Sequence, residues 1–286
     1  MRSKLEILRQ QPRPGRFLLS RLARASGLWR LVRIRRDGYV LRLHPAALSL
    51  SLWVDGKDRP MDSRVVKSLL SPGDVYVDVG ANIGHLAIEA ALAVGPSGTV
   101  FAFEPHPKIA EFLRENVRLN GLRNVMIAEA AVGDRFGWIW LSDRRADDQN
   151  AVSFESGDLR VPLVTLDVLL EGHRVKLLKV DVEGFEKFVF EGARRTLERV
   201  DYIYFEAQDS MCRAAGYAFG QLHDLLSTHG FEIGVADGDR LRSVSRDERF
   251  HDCVNLLAFR DRDDLCRRLA LAAPRDSGLV GGSSST

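Results

Sequence analysis

From residue 75 onward, short continuous apolar runs alternate with longer amphipathic segments. Val75–Val79, Thr99–Phe103, Val125–Ala130, Leu177–Val180, Tyr202–Phe205, Phe231–Val235 and Cys253–Phe259 are rich in β-branched and aromatic residues. Runs of this length predict strands buried on both faces. Between them the pattern predicts helices over 83–94, broken by Gly95-Pro96-Ser97-Gly98, over 107–120 with Gly121 as the stop, from Gly184 to Leu197, and over 221–229. Seven strands threaded by helices predict a mainly parallel α/β sheet covered on both faces. Trp138–Leu141 and Val161–Val164 read as antiparallel inserts around a polar loop, Ser142–Gly157. Asp167–Leu170 reads as a short helix, Asp263–Ala273 as a last one, and Gly281–Thr286 as a polar tail without fixed structure.

The segment before residue 61 has a different texture. Residues 1–36 read as helical and basic, with Leu18, Leu22, Ala25, Trp29 and Val32 at helical spacing. Gly38–Leu43 and Ala47–Val54 alternate with period two about His44-Pro45, which predicts a hairpin capped by Asp55-Gly56. Met61–Leu70 predicts a helix ended by Ser71-Pro72-Gly73. The expected division is therefore 1–60, a basic helix and hairpin extension; 61–262, the α/β domain; and 263–286, a final helix and tail.

Composition narrows the class. Hydrophobic residues make up 45% and charged residues 28% of the 286, an ordinary globular balance. Cys212, Cys253 and Cys266 are odd in number and form no C-x-x-C pair. They predict neither a disulfide framework nor a zinc site, and Cys253 reads as a core residue. Without a spanning run or a signal-like start, the expectation is a cytoplasmic protein. Net charge is +2, yet the first 42 residues hold eleven arginines and one lysine against Glu6 and Asp37. Four roles fit that segment: packing its apolar stripe on the main domain, lying peripherally on an anionic membrane surface, holding an acidic partner, or serving as an organelle transit peptide.

The candidate chemistry begins at Asp78-Val79-Gly80-Ala81-Asn82-Ile83-Gly84, a strand end running through glycines into an apolar helix. Such a turn opens a nucleotide-binding sheet. A dinucleotide fingerprint from Gly80 needs glycine at 82 and 85, where this chain has Asn82 and His85. Asn82 tolerates the left-handed conformation a third glycine would otherwise supply. The D-x-G-x-N-x-G spacing suits a cofactor without a pyrophosphate. Glu104 ends the second strand 24 residues after Gly80, where a carboxylate meets the paired hydroxyls of a ribose. It also stands where it can cap the next helix, and His106 stands where it can flank an adenine or face solvent. Asp181, Glu183, Glu206 and Gln208 fall at two later strand ends.

Ordered blocks then carry a resemblance. DVGANIG, FAFEPHP, RENVRLNGLRNV, AAVGD, VTLDVLL, LLKVDVEGFEKFVFEGA and IYFEA, over roughly 74–207, resemble FkbM-type methyltransferases. The resemblance implies a Rossmann-like class I methyltransferase fold and S-adenosyl-L-methionine as cofactor. It implies Asp78, Gly80, Asn82 and Gly84 at the methionine and ribose side, Glu104 at the ribose, His106 nearby, and Ala131 and Val132 near the adenine. His85 and His106 depart from the family's usual aromatic and small polar residues, and the basic N-terminus lies outside the match.

The implied reaction is methylation of a hydroxyl on a sugar, glycolipid or secondary metabolite, with Asp181 as the best-placed base and Glu183 sharing that role or binding substrate. A plainer reading leaves both acids capping the next helix and holding the cofactor's amino group. A divalent ion on Asp181, Glu206 and Gln208 is a further arrangement that oxygen ligands of this kind allow, although no metal is assigned. The polar residues Asp147, Asp148, Gln149, Asn150 and Ser153 stand where a substrate lid or an ordinary solvent loop would lie. The competing functions are a nicotinamide-dependent oxidoreductase and a non-catalytic binding protein on the same fold. A nucleic-acid partner is not expected, because the arginines lack interleaved aromatics and no Asn/Asp-Pro-Pro-aromatic motif is present.

Overall fold

The computed structural model describes residues 13–16, 19, 28–55, 60–142, 152–153 and 156–271. Leu18, Leu22 and Ala25 of the expected N-terminal helix, most of the polar loop and the C-terminal tail lie outside them.

After a 3₁₀ turn at Leu28–Leu31 come β1 (Arg33–Arg35), β2 (Val40–Arg42), α1 (Ala47–Val54) and α2 (Pro60–Leu69). The first half of the domain then runs β3 (Val75–Val79), α3 (His85–Val94), β4 (Thr99–Phe103), α4 (Pro107–Leu119) and β5 (Val125–Ala128). An insert follows: β6 (Ala131–Val132), β7 (Gly137–Leu141), β8 (Val152–Ser153), β9 (Leu159–Val164) and α5 (Leu166–Leu169). The second half contains β10 (Val175–Val180), α6 (Glu186–Glu191), α7 (Arg194–Leu197), β11 (Val200–Ala207), α8 (Asp209–Ala214) and α9 (Phe219–Thr228). It closes with β12 (Glu232–Asp237), β13 (Arg240–Ser243), β14 (Val254–Phe259) and α10 (Arg262–Arg268).

The central sheet has the order β13-β12-β14-β11-β10-β3-β4-β5. Its β10–β11, β10–β3, β3–β4 and β4–β5 pairs are parallel, and β14 runs antiparallel to both β11 and β12. Six strands therefore share one direction. The seven expected strands are all present, with β13 added as an antiparallel edge. This is the class I methyltransferase arrangement.

Both sheet faces are covered, as continuous apolar strands demand. Tyr76, Val100, Ala102, Leu177 and Tyr204 pack with α2, α3, α4 and α10 on one face. Their neighbours Val77, Phe101, Leu178 and Phe205 pack with α6 to α9 on the other. The expected helix over 184–197 is interrupted at Gly192-Ala193, giving α6 and α7. A smaller sheet, β6-β9-β7-β8, contains the predicted antiparallel pair β7–β9.

The N-terminal hairpin differs from expectation. Its arms are β1 and β2, paired Arg33↔Arg42 to Arg35↔Val40, and Ala47–Val54 is a helix. Both edges of β2 are taken. One pairs with β1, and on the other Asn120 receives Val40 N–H at 2.9 Å and Asn116 receives Arg42 N–H at 2.8 Å. No β2 edge remains for a strand at 47–54. The serine of its Leu-Ser alternation that turns inward, Ser49, is buried with its hydroxyl bonded to His44 N–H and Arg42 C=O. Leu41, Leu43 and Leu52 join the main core on the α3–α4 face.

Candidate active site

The chain builds β3, β4 and β5 outward in one direction, then returns to lay β10 and β11 on the other side of β3. Ligands bind beyond the carboxyl ends of strands at such a reversal. A cleft of about 1000 Å³, open mouth included, lies there.

The turn after β3 forms one wall. Gly80 has φ 83°, and a Cβ on it would sit 1.9 Å from the carbonyl oxygen of Asp181. The glycine thus lets the ends of β3 and β10 close up, and Asp181 N–H donates to Val79 C=O at 3.0 Å. Asn82 takes the left-handed conformation, φ 49°. Gly84 does not line the cleft. Its Cβ position is 2.3 Å from Leu113 Cδ1 on α4, so the glycine is needed for close helix packing.

Glu104 is held in place by two backbone donors. Its Oε2 accepts from Asn82 N–H and its Oε1 from His106 N–H, each at 2.9 Å. One carboxylate joins the glycine turn to the end of β4, and a carboxylate oxygen can accept more than one donor. Glu104 is buried to 7% exposure while still lining the cleft. His106 caps α4 by accepting from Lys108 N–H, and lines the cleft beside Pro105. Ala131 and Val132 line it from β6, with Phe103, Leu141 and Phe185 adding apolar wall.

A residue outside the sequence-based candidates sits at the centre. Lys179, opposite Asp78 in the β10–β3 register, reaches Asp78 Oδ1 at 3.2 Å and Asp181 Oδ2 at 3.3 Å. Burial pushes the Asp78 carboxyl above its ordinary range, and Lys179 pulls it back. Asp78 Oδ2 has no hydrogen-bond partner among the described residues. The signal for Lys179 was a lysine inside the apolar run of a strand buried on both faces, where a charge must be paired.

At the open end, carboxylate oxygens of Asp181, Glu183 and Glu206 lie within 4.8 Å of one another. Gln208 is not in this group; its amide donates to His251 C=O at 3.2 Å. The triad of acids is thus Asp181, Glu183 and Glu206, with Glu183 in place of the expected amide. Cys253 is exposed just before β14 rather than in the core, with Glu206 beside its thiol. His85 lines the opposite side, its Nδ1 2.5 Å from the hydroxyl of Tyr39, which also donates to Glu89 at 3.1 Å.

The model of the methyltransferase FkbM domain matches residues 78–233, more than half of the chain. The chain belongs to the FkbM methyltransferases. It is therefore an S-adenosylmethionine-dependent methyltransferase, and the oxidoreductase and non-catalytic readings fall. NoeI of Sinorhizobium fredii, a 2-O-methyltransferase, is 27% identical over 228 residues, spanning 70% of this chain and 90% of the relative. AglP of Haloferax volcanii, a hexuronic acid methyltransferase, is 32% identical over 160 residues, spanning 52% of this chain and 64% of the relative. Among solved structures, an S-adenosylmethionine-dependent O-methyltransferase from Thermotoga maritima matches at TM-score 0.40 and 18% identity, over 70% of this chain and 64% of that one.

The lining of this FkbM cleft fits that cofactor. Asp78 Oδ2 is a buried acceptor with no hydrogen-bond partner among the described residues, which suits an ammonium group. Glu104 offers two oxygens to paired hydroxyls, and the apolar wall suits a base. The family match ends before β14 and leaves out the hairpin, yet Leu48 of α1 lines the cleft as well. Among the described residues, no helix is long and apolar enough to cross a membrane.

Proposed function

We propose that this methyltransferase acts on a hydroxyl oxygen of a sugar residue, free or within a glycan or glycolipid. The observation that carries the reading is the carboxylate group at the open end of the cleft, Asp181 and Glu183 with Glu206 behind them. A hydroxyl is a poor nucleophile until relieved of its proton, and a positioned base contributes about 10²- to 10⁴-fold. Similarity to NoeI, a 2-O-methyltransferase, and to AglP, a hexuronic acid methyltransferase, supports the same class.

In this reading Glu104 holds the ribose hydroxyls, Asp78 the amino group, and Ala131, Val132 and His106 border the adenine. Gly80 and Asn82 shape the turn against which the cofactor lies. When bound, the cofactor supplies an electrophilic methyl carbon. Asp181 already accepts from the Lys179 ammonium at 3.3 Å, which fixes the orientation of its carboxylate. We therefore assign the acceptor's proton to a Glu183 carboxylate oxygen and leave Asp181 to orient the hydroxyl. The negative charge of the three acids also discourages an anionic group at the point of transfer.

The test is release of S-adenosylhomocysteine with a panel of methyl glycosides, neutral hexoses and hexuronic acids, alongside amine acceptors lacking hydroxyls. Release with a glycoside, lost when its hydroxyls are acetylated, supports the reading. Release with the amines alone overturns it.

A further inference from the structure

A second carboxylate is built into the fold behind the cleft. Glu186 opens α6 and is 2% exposed. Its Oε1 accepts from the backbone N–H of Gly184 at 3.1 Å and of Val182 at 3.3 Å, and its Oε2 accepts from the hydroxyl of Tyr217 at 3.2 Å. Tyr217 is itself buried. Burial pushes the Glu186 carboxyl up to about 7, against the pull of its backbone donors and with a smaller push from Glu206. A buried acid is costly to keep, so what it grips matters.

It grips the two residues flanking Glu183. Glu183 has φ 53° and Gly184 φ 95°. A glutamate in the left-handed region costs on the order of 1 kcal/mol or more and persists only where its surroundings over-determine it. The surroundings here are Glu186 on one side and Met211 of α8 on the other, whose carbonyl oxygen is 2.9 Å from a Cβ built on Gly184. Neither Glu186 nor Tyr217 lines the cleft.

We propose that Glu186, braced by Tyr217, is a positioning residue that locks the 181–184 loop in the conformation presenting the Glu183 carboxylate to the cleft. The proposal rests on the assignment of Glu183 as proton acceptor. In its ionised form Glu186 accepts all three donors. Glutamine keeps one oxygen for the two backbone donors and turns an N–H toward the Tyr217 oxygen, which can accept it. Alanine leaves the loop's N–H groups without their acceptor.

The test uses Glu186→Ala, Glu186→Gln and Tyr217→Phe in the S-adenosylhomocysteine complex, read first by amide hydrogen exchange and crystallography. In Glu186→Ala, exchange at Val182 and Gly184 should rise by roughly tenfold or more, with Glu183 displaced, while affinity for S-adenosylhomocysteine stays within about threefold. Glu186→Gln should restore the loop, and Tyr217→Phe should fall between. With a glycoside acceptor, Glu186→Ala should lose roughly 100-fold in kcat at little changed cofactor KM, and Glu186→Gln should recover most of it. If Glu186→Ala does not fold, the same ordering must appear in Tyr217→Phe against wild type. An unmoved loop in folded Glu186→Ala overturns the proposal, as does a Tyr217→Phe protein identical to wild type where alanine cannot be made. Glu183→Gln separates the two claims: full turnover there removes Glu183 as the base, while the exchange result still judges the loop.

Discussion

The hydroxyl of Tyr39 lies 2.5 Å from Nδ1 of His85, joining the N-terminal hairpin to the first turn of the helix that follows the glycine turn. Tyr39 also donates to Glu89 Oε1 at 3.1 Å, and burial followed by the Glu89 charge holds its phenol well above the usual range. The phenol therefore keeps its proton, and one O–H organises two side chains of α3. Tyr39→Phe removes the proton Glu89 accepts, at a cost of about 1–3 kcal/mol. Urea unfolding should show that loss, and calorimetry should show weaker S-adenosylmethionine binding as His85 loses its orientation on the cleft wall. Wild-type values in both would show that the contact contributes nothing.

Gly84 is assigned to packing, so its replacement should affect stability before ligand binding. Gly84→Ala places a methyl 2.3 Å from Leu113 Cδ1 at φ 87°. The expected loss is about 1–3 kcal/mol from overpacking and strain. Adding Leu113→Ala should relieve the clash but not the φ penalty, giving a measurable coupling energy between the two sites. Strict additivity would contradict the packing role.

Lys179→Met should be among the most damaging substitutions in the core. It leaves Asp78, 1% exposed, and Asp181 without their shared cation. Breaking a buried pair in this way costs about 3–5 kcal/mol. Asp78→Asn/Lys179→Met should recover part of that loss by removing the stranded charge. A double variant no better than Lys179→Met would mean the pair is not what Lys179 stabilises.

His44 stacks on Phe112 with ring centroids 4.0 Å apart. Burial pulls its pKa down from 6.5 to about 4, although Glu115 lies 3.9 Å from Nε2. The unfolded chain therefore binds a proton that the folded chain refuses between those values. Its contribution is present above pH ~6.5 and disappears as pH falls toward ~4, up to about 3 kcal/mol. His44→Phe should flatten stability against pH over that window in urea titrations. Equal slopes in the two proteins would contradict it.

The strands of the central sheet were legible because buried parallel strands leave continuous apolar runs, and the turn at 78–84 because its conformation demands particular residues, as the φ of Asn82 bears out. Segment 47–54 was misread because Leu-Ser alternation also serves a helix when the serine that turns inward, Ser49, is small and hydrogen-bonded. Its choice depended on Asn116 and Asn120 occupying the β2 edge from 74 and 80 residues away. The same long-range dependence hid Tyr39 behind His85 and Lys179 between two aspartates. Gly84 and Gly80 look alike in the chain, yet a helix side chain fills the space beside one and a strand end the space beside the other. Gln208 sat at the right strand end, but its amide turns to His251.

The most direct test of the account is calorimetric titration of S-adenosylmethionine into wild type and Glu104→Ala. Glu104 fixes the turn and the end of β4 through Asn82 and His106 and is assigned to the ribose, where hydrogen bonds to a charged acceptor contribute about 1.5–3 kcal/mol. The predicted result is one site in the wild type and affinity weakened by roughly 10- to 100-fold in the variant. Equal affinity in the two proteins would contradict the placement of the cofactor in this cleft.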